Sequence, residues 1–549
     1  MGAAQHAGVL FPALKLSALV LLLVPVTALL AAPPDATSLF PAGGTPGEEA
    51  AVTATGTFAN WPVQIRTSDA RLHVECEKDK GKLKIRIAAD AAPGIAWLRF
   101  IDAEGASALR PFVIAAQPSV LEKEPNDSVK QAQQASLPAV VHGKYDKNGD
   151  SDAYAVQLTA GQTVVASLQS NEILGSPADG ALQICNEAGQ VLVMNQDAGG
   201  LDSLLTFTAK SDGTYLVRTF ALPAMPNGTV NFAGGELFIY RLTITTGAFA
   251  DATLPLAITR GTTTPLKLVG WNVPAEPLTA SEPDKMLTEP WLWTPPTAAG
   301  LVPLKLVSMA CVVNDTKALT AEGQLVEVPV CVSGIVAERR EVHRFKFAGK
   351  KGTKLAIAVE SQSLAYDLDP FLKLTTADGQ PVMEVDDTGK ERDPTLNATL
   401  PADGDYLLEV RDLHRTGGPR HVYRLTIQTP QPKLALTVAA GSHLLTAGEA
   451  LEVPVTITRQ NGFSGEVKIE AIELPTGVTV EAVTSSNKGE TAKLVKLKFT
   501  AAADAVAGPI RILARDEAGN EVAAATFAQA LGGNTFQHEN IWLAVKGSK

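Results

Sequence analysis

Eight oxygen-bearing side chains crowd two short stretches of the chain: Glu122, Glu124, Asn126 and Asp127, then Asp146, Asn148, Asp150 and Asp152. Carboxylates and amide carbonyls at this density are the donors a hard cation takes, and calcium needs roughly six to eight oxygens at about 2.3–2.6 Å. Alternate side chains of an extended strand share a face, so Glu122 and Glu124 can converge, as can Asp150 and Asp152. A solvated acidic turn has the same composition, and the residues alone leave both readings open. An EF-hand starting at Asp146 fails. Its sixth position is Ser151 rather than Gly, its twelfth is Gln157 rather than Glu, and no helix pattern flanks it.

Other chemistry is thin. Asp387-Thr388-Gly389 spells the triplet of an aspartic peptidase, but it sits in the charged run VDDTGKERD without a second copy, and that reaction needs two carboxylates in an apolar cleft. His538-Glu539 lacks the second histidine of a zinc-peptidase helix, and G-x-S-x-G and phosphate-binding glycine loops are missing. His414 and His421 flank RTGGPR, too few ligands for a metal. Cys76, Cys185, Cys311 and Cys331 contain no C-x-x-C pair. Cys311 and Cys331 can pair across neighbouring strands or stay as buried thiols.

The sequence has 549 residues, 45% hydrophobic and 19% charged, with a net charge of −11. That hydrophobic content excludes a disordered chain. The acidic balance excludes nucleic acid as a partner, since phosphate neutralisation needs clustered Lys and Arg. Residues 1–32 hold Lys15 and then the apolar run LSALVLLLVPVTALLAA, which reads as a secretory signal or, if uncleaved, an N-terminal anchor. Everything beyond it is expected outside the cytoplasm, with membrane contact only through that segment.

Beyond the signal, hydrophobicity alternates with period two, as in VTATGTF and KLKIRIAA, which predicts half-buried strands. An internal repeat runs at an offset near 191: VHGKYDKNGDSDAYAVQL aligns with VSGIVAERREVHRFKF, KSDGTYLVR with PADGDYLLE, and FIYRLTI with HVYRLTI. All 7 tyrosines fall inside the two repeats and all 6 tryptophans outside, so two module types interleave. The expected fold is all-β, in serial β-sandwich domains. Expected segments are an immunoglobulin-like module at 38–117, a first repeat at 118–247, a β module at 248–330, a second repeat at 331–430, an immunoglobulin-like domain at 433–531 and a loose tail at 532–549. Tyr154, Tyr215, Tyr240, Tyr406 and Tyr423 recur at matching positions, as core residues or as a sugar- or collagen-binding face. Trp291 and Trp293 in EPWLWTPP project to one side of an extended segment, for packing between modules or for a ligand.

The run LEKEPNDS…VHGKYDKNGDSDAYAVQL…SDGTYLVR…YRLTI resembles the bacterial pre-peptidase C-terminal domain, the fold of the collagen-binding domains of bacterial collagenases. Residues 118–247 resemble it throughout. Residues 331–430 resemble it only from Gly334 onward, without the EPND leader. The last module is similar to immunoglobulin-like repeats of large secreted bacterial proteins. The resemblance implies jelly-roll-like, non-catalytic sandwiches, alternating here with immunoglobulin-like modules. It also implies calcium at the leader of the first repeat, held by Glu122, Glu124, Asn126, Asp127, Asp150 and Asp152. The second repeat carries Arg339, Arg340 and His343 where carboxylates are needed, so calcium is expected in the first repeat alone.

Together these features point to a non-catalytic exported protein that binds or scaffolds an extracellular polymer or protein, with a calcium-stiffened joint. The rivals are an accessory, targeting subunit of a secreted peptidase or polysaccharide hydrolase, and a peptidase of unrecognised type.

Overall fold

A computed structural model describes residues 32–225, 228, 231–283 and 288–547; the expected signal or anchor lies outside them except for Ala32. The described chain is all-β, in serial sandwiches with only single turns of helix. The period-two pattern does what it predicts: Leu494–Ala501 alternates exposed and buried along its whole length, one face to solvent and one to the core.

The first sandwich begins at Asp35 and packs a four-stranded sheet on a five-stranded one around Ile85, Leu98, Phe100 and Phe112. The first repeat follows as two five-stranded sheets. One runs in the order Ser119–Leu121, Ala139–Lys144, Ile239–Thr245, Thr163–Gln169, Leu204–Thr208. The other runs Gln133–Gln134, Asp152–Leu158, Gly213–Pro223, Ala178–Asn186, Val191–Asn195. Its tyrosines 145, 154 and 240 are fully buried between them. A small sandwich of two three-stranded sheets comes next, from Phe249–Leu254 to Val302–Val307.

The second repeat copies the strand order of the first, and it starts earlier than expected. Ala310–Val313 pairs in parallel with Val330–Ile335, as Ser119–Leu121 pairs with Ala139–Lys144. Gln324–Leu325 then takes the edge place of Gln133–Gln134. A leader is therefore present from residue 310, and the boundary at 330/331 is corrected. The leader escaped notice because its backbone pairing is retained while its acidic side chains are not. In register, Val312 faces Val332 as Val120 faces Val141, and Gly334 faces Tyr423 as Gly143 faces Tyr240.

The expected loose tail at 532–549 is corrected over its described residues, 532–547. Asn534–His538 pairs with Glu521–Leu531, and Ile541–Lys546 pairs with both Ser442–Thr446 and Gly508–Arg515. Phe536, Ile541 and Leu543 belong to the core of the last sandwich. This last sandwich closes back on the earlier ones. Arg99 in the first module donates to the carbonyls of Gly441 and Asn540 at 2.7 and 2.8 Å, and Gln529 exchanges two hydrogen bonds with the backbone of Leu109. Asn171 and Glu172 of the first repeat bind Gly533 and Asn534.

The repeat tyrosines Tyr154, Tyr215, Tyr240, Tyr406 and Tyr423 are all buried. They are core, which overturns the reading of them as a binding face. Trp291 and Trp293 are half-buried beside the core of the third sandwich, and they line a cleft of about 760 Å³ shared with Trp97 and Phe536 of the flanking modules. Asp387 lies in an exposed turn, bridged between Thr388 and Glu391.

Candidate metal centre

The leader and the first long strand of the first repeat bring the predicted oxygens together. Ser119–Leu121 runs parallel to Ala139–Lys144, and Glu122 continues this pairing by donating its N–H to His142 O at 3.1 Å. Close packing fixes what sits beside it. A Cβ at Gly143 would fall 2.1 Å from Tyr240 Cζ and 2.5 Å from Glu122 Oε2. The turn leading to Asp150 needs the left-handed conformation at Gly149, φ 88°. Asn126 ties the leader to the strand entry, its carbonyl accepting from Ala153 N at 3.1 Å.

Two groups of carboxylates result, each with ligand atoms within 4.8 Å of one another: Glu122, Glu124 and Asp152, and Glu124, Asp127 and Asp150. Glu124 is common to both, so the two groups adjoin through one side chain. Tyr240 Oη lies 2.7 Å from Asp152 Oδ2 and 3.1 Å from Glu122 Oε2; with one proton it can donate to only one of them. Glu122 Oε1 also accepts from Lys144 N at 2.7 Å, and Asp150 Oδ2 from Asp146 N at 2.5 Å. Of the other two side chains in the sequence pattern, Asn148 is drawn away to Gly234 N at 3.1 Å, while Asp146 adds only negative charge beside Glu122.

The electrostatics set the buried members of these groups apart. Burial lifts the Asp152 carboxyl to about 9, with the charges of Glu122, Asp150 and Glu124 adding to the shift, and the Glu122 carboxyl to about 8, with those of Asp146 and Glu124 adding. Burial likewise lifts Asp150 to about 6, with Asp127 and Glu124 contributing. Asn126 is fully buried, and both its side-chain amide atoms lack a hydrogen-bond partner, as do Asp150 Oδ1 and Asp152 Oδ1. Unpaired buried groups of this kind cost about 1–3 kcal/mol each, and a cation is a partner that each of these oxygens could take. The donors are all oxygen, which fits calcium rather than a softer metal.

In the second repeat the same backbone carries different side chains. Asn314 stands against Gly334 and Tyr423 as Glu122 stands against Gly143 and Tyr240. Arg340 adopts the left-handed turn of Gly149, φ 67°. His343 begins the strand where Asp152 does, and Glu341 takes the place of Asp150. Ala318, fully buried in the apolar core, follows Asn314 at the spacing by which Asn126 follows Glu122. His343 Nδ1 lies 2.7 Å from Tyr423 Oη and its Nε2 lies 2.6 Å from Glu341 Oε1, so protein groups occupy the space that acidic groups surround in the first repeat.

Residues 341–412 match the bacterial pre-peptidase C-terminal domain, and the chain contains such a domain. The match falls in the repeat that lacks the acidic leader, so the strand framework carries it. A probable subtilase-type serine protease of Deinococcus radiodurans is 31% identical over 97 residues, 17% of this chain; the chain spans only 13% of that protein's length. Among solved structures, the pre-peptidase C-terminal domain of a Bacillus anthracis collagenase is similar at 18% identity and TM-score 0.17, over 23% of this chain and all of that one. Fibronectin(III)-like modules of Clostridium thermocellum CbhA are similar at 14% identity and TM-score 0.13, over 39% of this chain and 94% of theirs.

Proposed function

We propose that this is an exported, non-catalytic scaffold that binds an extracellular polymer or protein and holds one calcium ion in its first repeat. The observation that carries the reading is the convergence of exposed Glu124 and Asp127 and half-buried Glu122 on buried Asp150 and Asp152, with orphaned oxygens on Asn126, Asp150 and Asp152. Three of these carboxylates lie on the leader that joins the first module to the repeat, and two at the entry to the repeat's first long strand. An ion bridging them fixes the leader on the sandwich and so fixes the angle between the two modules. The N-terminal apolar run supports export, and the matched domain type supports a binding rather than a catalytic role.

The test uses the full chain in chelator and in millimolar calcium. Calcium at about a hundred times its dissociation constant adds roughly 2.7 kcal/mol, and Asp152→Asn is expected to remove that gain. Equal melting in both buffers would leave a plain spacer protein. The likeness to part of a subtilase-type protease favours, as second reading, an accessory that carries a separate secreted hydrolase to its substrate; co-purification with such an enzyme distinguishes it. A peptide library incubated with and without metals tests the non-catalytic assignment, which any cleavage would end.

A further inference from the structure

The two repeats differ at a second buried position, and the difference leaves a positive charge unmatched. In the second repeat Arg424, 3% exposed, donates from Nε and Nη2 to Glu360 at 2.8 and 2.9 Å and from Nη1 to Leu256 O at 3.0 Å. Strand register sets Gln169 against Arg241 as it sets Glu360 against Arg424. The carboxylate of one repeat is thus an uncharged amide in the other. Arg241 is 4% exposed, donates from Nη1 to Gln169 Oε1, and leaves Nε without a partner. Burial lowers its guanidinium to about 10, with no carboxylate opposing the shift, so it stays charged at neutral pH. His142, across the strand pair, is held neutral by burial and by that same arginine.

A buried charge without a counter-charge is among the costliest arrangements in a fold. Arg241 borders a small cavity of about 20 Å³ where three modules meet, lined also by Ile114 and Gln117 of the first module, Ser167 of the first repeat, and Thr294 of the third sandwich. Thr294 Oγ1 is buried there without a partner. The volume suits one particle the size of a water or a halide.

We propose that this junction is an anion site, in which Arg241, assisted by the Thr294 hydroxyl, binds one halide-sized anion such as chloride. The anion supplies from solution the negative charge that Glu360 supplies within the second repeat. It thereby locks the first module, the first repeat and the third sandwich at one point. The site is independent of the calcium reading, being on the opposite side of charge and on different residues.

Chloride-35 line broadening on the full chain tests it. The wild type is expected to broaden the chloride signal in a saturable way, with bromide displacing it. Gln169→Glu gives Arg241 the partner that Arg424 has, so that variant should fold and broaden no more than free solution does. In parallel, the wild type should melt about 2–4 °C higher in chloride than in gluconate at equal ionic strength, and Gln169→Glu should melt alike in both. Broadening equal in wild type and Gln169→Glu, or wild-type melting unchanged between the two salts, would overturn the proposal and assign the cavity to water.

Discussion

Nε2 of His343 lies 2.6 Å from Oε1 of Glu341, an imidazole–carboxylate pair at the places that Asp152 and Asp150 hold in the first repeat. Burial holds the imidazole below its ordinary range, the neighbouring glutamate only partly offsetting it. A neutral ring donating from Nε2 to Glu341 and accepting at Nδ1 from Tyr423 satisfies every partner. One repeat thus answers its buried tyrosine with protein groups, and the other with a cluster of acids.

Restoring the acids should restore the site. The combined substitution Asn314→Glu, Thr316→Glu, Ala318→Asn, Leu319→Asp, Glu341→Asp and His343→Asp is expected to raise calcium stoichiometry from one to two. Isothermal titration checks it, with stoichiometry unchanged as the adverse result.

The raised carboxyls give the metal-free protein a pH signature. Glu122, Asp150 and Asp152 titrate near 8, 6 and 9 in the fold and near 4 in an unfolded chain. The folded state therefore holds protons that the unfolded state has released, and stability is lost as pH rises from about 4 to about 9. In chelator, melting should fall between pH 5 and pH 8.5. Calcium replaces the protons, so its stabilising effect should widen over the same interval. A flat chelator profile would count against the buried cluster.

Asn126 gives a change of sign. Its amide is buried and unpaired, and the second repeat has Ala318 in its place. Asn126→Ala should be neutral or stabilising by about 1–3 kcal/mol in chelator, where it removes an unpaired group, and destabilising in saturating calcium, where it removes a ligand. Denaturant unfolding in the two buffers reads both signs; loss of stability in both would make Asn126 merely structural.

Arg99 couples the ends of the chain. It is 3% exposed, and its guanidinium, lowered by burial to about 10, spans two carbonyls of the last sandwich. Arg99→Ala removes two charge-assisted bonds, a loss of about 2–4 kcal/mol, and should split one calorimetric transition into two. A single unchanged transition would show that the remaining contacts suffice.

The terminal strands offer a cruder test. Ending the chain at Leu531 uncovers a core that Phe536, Ile541 and Leu543 help to fill, each side chain being worth about 1.5–3 kcal/mol. The shortened chain is expected to accumulate in the insoluble fraction, and soluble protein with a native near-ultraviolet spectrum would contradict the packing.

Alternating hydrophobicity is a local property, so the all-β class, the repeat and the acidic donor set were legible in the residues themselves. Strand geometry is not what brings Glu122, Glu124, Asp150 and Asp152 together, since the leader strand ends at Leu121, the long strand begins at Asp152, and Asp150 falls with Glu124 and Asp127 rather than with Asp152. The leader of the second repeat was not legible, because parallel pairing of Ala310–Val313 is made by backbone groups that every residue carries. The strands after 532 were hidden for a related reason: Asn534–His538 and Ile541–Lys546 are held by partners from distant parts of the chain. Ile239–Thr245 is buried on both faces, its Arg241 and Thr243 included. Only the covering modules decide that. Burial is a property of the assembled sandwiches rather than of the pattern, and burial is what raises the carboxyls of Glu122 and Asp152 and makes an ordinary arginine an unmatched charge.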